Sequence, residues 1–199
     1  MKKLLIVIVS VFLVGSSVFA VTYNSNPKIF ITELVGDAMK TLNDKEISVA
    51  DKNKAIEEIA LENVDIKALG MYTLGDIRKT LDSETLSEYN KLFEKYFLKS
   101  LTSRLNDYKS TEFEVTDAEQ TSANYTIVKS RIPQTTSQPE IKIDWRVYTK
   151  DPMKPLIRDL IVEGLSLART QKEEFNSIIQ NNDGDINSLF KTLEEFLIK

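Results

Sequence analysis

The sequence predicts an α+β fold, with helices packed on one face of a twisted antiparallel sheet. Three observations carry this. Apolar residues recur at helical spacing through the first half of the chain. The period switches to two between Phe113 and Val162, and helical spacing returns from Ser166 to the end. Successive strands joined by short loops pair antiparallel, and helices outside them cover one sheet face.

The elements follow in order. Pro27 suits the first turn of a helix, where its missing N–H costs nothing. Ile31, Leu34, Val35, Ala38, Met39 and Leu42 then form one stripe. Ser48 and Asp51 have the spacing of a capping box ahead of a second stripe, Ala55, Ile56, Ile59, Ala60 and Val64. Asp82 is a predicted N-cap for a helix of about 25 residues with one broad apolar face. That face carries Leu86, Tyr89, Phe93, Tyr96, Phe97, Leu101, Leu105 and Tyr108. Phe113 and Val115 alternate with polar neighbours, and Tyr125 to Val128 is rich in strand formers. Ile141, Ile143, Trp145 and Val147 point one way along a half-buried strand, opposite Lys142, Asp144, Arg146 and Tyr148. Pro133 and Pro139 bracket a loop, Asp151-Pro152 marks a turn, and Leu156 to Val162 reads as a more buried strand. Gly164 permits a tight turn, Ser166 caps the next helix, and Asp185 caps the last one after Gly184.

Composition excludes several chemistries. The 199 residues contain neither cysteine nor histidine. Disulfides, thiolate nucleophiles and Cys-ligated metals are therefore absent, as are Ser-His-Asp triads and imidazole acid–base catalysis. Any metal site would be all-oxygen; no metal, cofactor or catalytic residue is predicted. Asp159 and Glu163 are acidic and close in sequence, but four residues along a strand span about 13 Å, too far to share a proton.

Met1-Lys2-Lys3, the apolar run Leu4 to Val14, and Val18-Phe19-Ala20 have the layout of a secretory signal peptide. The run is shorter than the roughly 20 residues of a membrane-spanning helix. Residues 1–20 are thus predicted to be cleaved after Ala20, leaving one domain over residues 21–199. Cleavage removes Lys2 and Lys3 and moves the formal charge from −4 to −6. An acidic chain of this kind is not built for nucleic acid.

Three segments resemble the MlaC family of periplasmic phospholipid-binding proteins, also called the toluene-tolerance family. They are Val64-Asp65-Ile66 through Ala68 to Leu74-Gly75, the helix bearing Tyr89, Phe93, Tyr96, Leu105 and Tyr108, and the run Asp159-Leu160-Ile161-Val162-Glu163-Gly164-Leu165-Ser166-Leu167 followed by Phe175. The chain departs from the family pattern at Pro155-Leu156, where an aromatic usually precedes the Asp159 strand. The resemblance implies a soluble periplasmic carrier whose helices and sheet enclose an apolar pocket, with phospholipid as cargo and no cofactor. It also implies two partners: an inner-membrane ABC transporter with an MCE-domain subunit, and an outer-membrane lipoprotein–porin complex. Between them the carrier would maintain outer-membrane lipid asymmetry.

With that resemblance, the expected acyl-chain wall comprises Val64, Leu69, Leu74, Tyr89, Phe93, Tyr96, Phe97, Val128, Ile141, Ile143, Trp145, Val147, Ile161, Leu165, Phe175 and Ile178. Periodicity alone reads the same residues as ordinary core. Tyr89, Tyr96 and Tyr108 fit a wet pocket mouth and a core edge equally well. Arg146, Lys150, Lys154 and Arg158 are the densest basic cluster. Arg146 and Arg158 are the head-group candidates; the alternative is a charged strand that discourages edge pairing. Two other functions compete: a periplasmic chaperone or lipoprotein carrier for apolar clients, and a hydrolase. The hydrolase lacks histidine and a Gly-x-Ser-x-Gly elbow.

Overall fold

The computed structural model describes residues 23–106, 112–136 and 139–199. The predicted signal peptide and Tyr108 lie outside the described residues. The helices are α1 (Pro27–Asn43), α2 (Val49–Asn63), α3 (Ile66–Thr73), α4 (Ser83–Asn106), α5 (Leu167–Gln180) and α6 (Ile186–Ile198). A short 3₁₀ turn, Gly75–Lys79, links α3 to α4. The strands are β1 (Glu114–Ser122), β2 (Tyr125–Ile132), β3 (Ile141–Tyr148), β4 (Leu156–Val162) and the short β5 (Leu165–Ser166). They form one open antiparallel sheet in chain order, as the short connections predict. No helix among the described residues is long and apolar enough to cross a membrane.

Local chemistry explains the boundaries. Asn26 caps α1 by accepting from the N–H groups of Lys28 and Ile29, with Pro27 in the first turn. Ser48 accepts from the Asp51 N–H at 3.2 Å, but the return half of the capping box is altered. The short Asp51 carboxylate takes the Ser48 hydroxyl at 2.7 Å. Asp82 accepts from the Thr85 N–H at 2.7 Å and starts α4 where the spacing predicts. Glu163 and Gly164 have φ values of 50° and 82°, so β4 and β5 join through two left-handed residues.

Two cores sit side by side. One is aromatic and helical: Tyr89 and Phe93 of α4, Phe175 and Ile179 of α5, and Leu189, Phe190 and Leu193 of α6. The other joins α1 to the sheet through Phe30, Ile31, Leu34 and Val35 against Val128, Val147 and Ile157. The inward sheet face follows the register: Ser130, Val128 and Thr126 of β2 lie opposite Ile143, Trp145 and Val147 of β3. Between β3 and β4 the register slips at Arg146/Val147, leaving Arg158 as the extra residue of a bulge.

Gly70 shows how closely α3 meets α4. A Cβ there would lie 2.8 Å from Cδ1 of Phe93, inside the core. Gly70→Ala is therefore expected to cost about 1–3 kcal/mol by overpacking, although alanine is the better helix former. The urea midpoint should fall with the slope unchanged. An unchanged or raised midpoint would mean that α3 and α4 can separate without loss.

Candidate lipid-binding cavity

A cavity of about 410 Å³ lies between the two cores. The helical wall includes Leu34, Val35, Ala38, Met39 and Leu42 of α1, with Ile56, Ile59 and Ala60 of α2. Phe93, Tyr96, Phe97, Leu101 and Leu105 of α4 face them, and Leu167 and Ala168 of α5 complete that side. The sheet contributes Ile143, Trp145, Ile157, Leu160 and Val162, and Phe113 stands just before β1. The lining is overwhelmingly apolar, and its size falls in the range of small-molecule sites.

The stripes explain why the space stays open. The first half of α1 buries Phe30, Ile31, Leu34 and Val35 against the sheet. Its second half presents the smaller Ala38 with Met39 and Leu42, all only half-buried, so this turn overhangs the space without filling it. Trp145 keeps its position by polar anchoring. Its indole N–H donates to Ser130 Oγ at 2.9 Å, and that hydroxyl donates to the Ile143 carbonyl at 2.7 Å. Phe113 meets the indole edge-to-face at 6.1 Å.

Seven of the sixteen residues predicted for the acyl-chain wall line this cavity: Val64, Leu69, Phe93, Tyr96, Phe97, Ile143 and Trp145. The other nine lie elsewhere. Leu74, Tyr89, Phe175 and Ile178 pack in the helical core. Tyr89 is fully buried, its hydroxyl 2.8 Å from that of Thr73, and burial pushes its phenol well above the ordinary range. It belongs to the closed core and not to a wet mouth. Val128 and Val147 are buried between sheet and α1. Ile141 is half-buried beyond Ile143 at the end of β3. Ile161 pairs with Asp144 on the outer face, and Leu165 is 69% exposed on the β4–β5 turn.

Neither arginine singled out for a head group faces the cavity. Arg158 is fully committed. Its Nε and Nη2 reach Asp65 Oδ2 at 2.8 and 2.7 Å, its Nη1 donates to the Tyr125 hydroxyl at 2.9 Å, and its guanidinium lies 3.4 Å from the centre of the Tyr148 ring. Burial works against its charge, but the Tyr125 and Asp65 hydrogen bonds outweigh that and raise its pKa. Asp65 in turn caps α3 through the Ala68 N–H. Arg158 thus ties the α2–α3 junction to the outer sheet face. Arg146 is exposed and lies 3.7 Å from Asp159 Oδ2.

The Asp159 end of the family-like run is architectural. Asp159 is 3% exposed; it takes the Ser166 hydroxyl at 2.6 Å and the Ala168 N–H at 3.0 Å. Ser166 accepts from the Arg169 N–H, so the two side chains together cap α5. Glu163 turns the other way and accepts from the Lys142 backbone N–H. The two carboxylates are spent on separate structural tasks. No cluster of His, Cys, Asp or Glu suited to a metal is present among the described residues.

Sequence reasoning passed over the linings from α1 and α2, together with Ser100, Leu101, Arg104, Leu105, Phe113, Ile157, Leu160, Val162 and Leu167. Most of these lie in the recognised stripes and strands. Their only distinguishing signal is a change to smaller side chains along α1, which shows no cavity until the sheet is placed beneath it.

Comparison with known proteins places this geometry in a family. No curated protein sequence matches the chain. Among solved structures, the phospholipid-binding protein of Ralstonia solanacearum in complex with a phospholipid matches with a TM-score of 0.70 at 17% identity. The match covers 84% of this chain and 94% of that one, so the fold is shared. The family model described as MlaC protein matches residues 32–195. A match over that span, on a fold built around an apolar cavity, makes this chain a member of the MlaC family.

Proposed function

We propose that this protein is a phospholipid carrier of the periplasm that holds acyl chains in the cavity between its two cores. The observation that carries the reading is the cavity's apolar lining at the junction of sheet and helices. The relative from Ralstonia solanacearum, described as phospholipid-binding and solved with a phospholipid, supports it. Each methylene removed from water contributes about 0.8 kcal/mol, so acyl chains would supply most of the affinity. The same term is lost when the lipid leaves a bilayer. The carrier therefore has to match the membrane interior, which an apolar cavity with few hydrogen-bonding groups does.

On this reading the leader is cleaved after Ala20 and residues 21–199 form the carrier. It exchanges lipid with an inner-membrane ABC transporter bearing an MCE-domain subunit and with an outer-membrane lipoprotein–porin complex, maintaining outer-membrane lipid asymmetry. The protein binds and releases its cargo without covalent chemistry, since Asp159 and Glu163 are engaged in caps and turns.

Native mass spectrometry of the mature protein, followed by lipid extraction, tests this. One phospholipid adduct per chain is expected. Ala38→Trp, which places an indole into the cavity from the half-buried side of α1, is expected to abolish the adduct while the far-UV spectrum stays unchanged. An adduct-free wild type, or a folded Ala38→Trp protein with full lipid, would overturn the assignment. A peptide or unfolded-protein adduct would favour a chaperone.

A further inference from the structure

We propose that the open end of the cavity selects zwitterionic phospholipids, with Arg104 and Ser100 of α4 holding the phosphodiester and Glu174 of α5 holding the head-group ammonium. This rests on the carrier reading and adds the head-group chemistry to it.

The polar residues of the lining fall into two sets. Thr73 and Asp159 are buried and spend their polar atoms inside the protein, on Gly70 and Tyr89 and on Ser166 and Ala168. The others cluster on two facing helices. Tyr96, Ser100 and Arg104 follow one another at four-residue spacing on one face of α4. Gln171 and Glu174 lie three apart on α5. The stripes are stapled together: the Tyr96 hydroxyl donates to Gln171 Oε1 at 3.0 Å, and Gln171 Nε2 donates to Glu174 Oε2 at 3.0 Å.

Arg104 and Glu174 are exposed although both line the cavity, so they mark its solvent end. A helical side chain leans toward the helix N-terminus, which carries the Arg104 guanidinium back toward Tyr96. Burial raises the Tyr96 pKa; Glu174 adds to the rise and Arg104 opposes it, so both charges act on that hydroxyl. Among the described residues neither group belongs to an ion pair. Opposite charges therefore flank one mouth without neutralising each other. A ligand carrying an anion and a cation on a short linker satisfies both. A purely anionic head group gains Arg104 but meets Glu174 unpaired, on a protein whose formal charge is already −4.

The test offers the mature protein vesicles of equimolar dioleoyl phosphatidylethanolamine and dioleoyl phosphatidylglycerol, then identifies the lipid taken up by mass spectrometry. Partly exposed charge pairs lead us to expect about threefold enrichment of the zwitterion. Glu174→Gln should bring the ratio to one, and Glu174→Lys should turn it toward phosphatidylglycerol. Arg104→Gln should lower total loading about threefold. Circular dichroism melts of all three variants should overlay the wild type, since both side chains are exposed. Millimolar inorganic phosphate should leave loading unchanged. Displacement of lipid by phosphate alone would reduce Arg104 to a free-phosphate site and overturn the proposal. A wild-type ratio of one, or a preserved ratio in Glu174→Gln, overturns selectivity while lipid uptake leaves the carrier reading standing. No uptake from any vesicle overturns the carrier reading, and the selectivity with it.

Discussion

Phe93→Ala is expected to destabilise the protein by about 3–5 kcal/mol, the range for emptying an aromatic site in a packed core. Phe93 is 3% exposed and central to a run of rings. Its neighbours are Tyr89 at 5.7 Å, Phe175 at 6.2 Å, and Tyr96 and Phe97 both at 6.3 Å between centroids. It also lies over Gly70, so α3, α4 and α5 meet on this one side chain. Because Phe93 borders the cavity as well, its removal joins a closed core to an open space. The surroundings cannot collapse inward without narrowing the cavity, which places the loss high in the range. For a chain of this size the melting temperature should fall by about 10 °C or more. Phe97 provides the comparison. It is only half-buried on the same cavity wall, so Phe97→Ala should lose roughly half as much stability. Urea denaturation of the two variants checks this. Equal losses would mean that Phe93 is a cavity wall and nothing more.

Asp159→Ala is expected to have the second large effect, about 3–5 kcal/mol, as for removing one partner of a buried charged network. The substitution leaves the Ala168 N–H without its acceptor at a buried helix start and deprives the Ser166 hydroxyl of its partner. Arg146 contributes little to this. Its side chain is 45% exposed, against 2% for Asp159, and the 3.7 Å separation is long. Arg146→Ala should therefore cost less than about 1 kcal/mol. Asp159→Asn should fall between the two, since the amide oxygen still accepts from Ala168 while the amide nitrogen faces a hydroxyl that can turn to accept. Urea midpoints rank the three variants, and hydrogen exchange at the Ala168 and Arg169 amides locates the loss. A loss below 1 kcal/mol for Asp159→Ala, or protected amides in that variant, would show that α5 is held by its apolar face alone.

The Asp159 result bears on why the run from Asp159 to Ser166 stands out in the sequence. Its acids and glycine read as chemistry, yet each has a backbone task. Asp159 and Ser166 cap α5, and Glu163-Gly164 turn the chain in left-handed geometry. The run sets the angle at which α5 leaves the sheet. That places Leu167, Ala168, Gln171 and Glu174 on the cavity.

Much of the protein was legible from the residues alone because the controlling forces are local. Helical and strand periods, N-caps at Ser48, Asp82, Ser166 and Asp185, and the glycine turn at Gly164 depend on neighbours a few positions away. Short loops then dictate an antiparallel sheet, and the family follows from the order of these pieces. Which apolar residues close a core and which border an empty space depends instead on how far apart the packed elements stand. Tyr89 and Phe93 share one stripe of α4, yet Tyr89 is sealed against Thr73 while Phe93 opens onto the cavity. Arg158 and Arg104 are both single arginines in amphipathic elements. A strand bulge turns Arg158 to the outer face onto Asp65, Tyr125 and Tyr148, while the helix face turns Arg104 to the mouth. Burial stabilises an apolar side chain whatever atoms cover it, so hydrophobic pattern settles that a face is covered. Only the tertiary arrangement of two separate cores decided that part of it is left for a ligand.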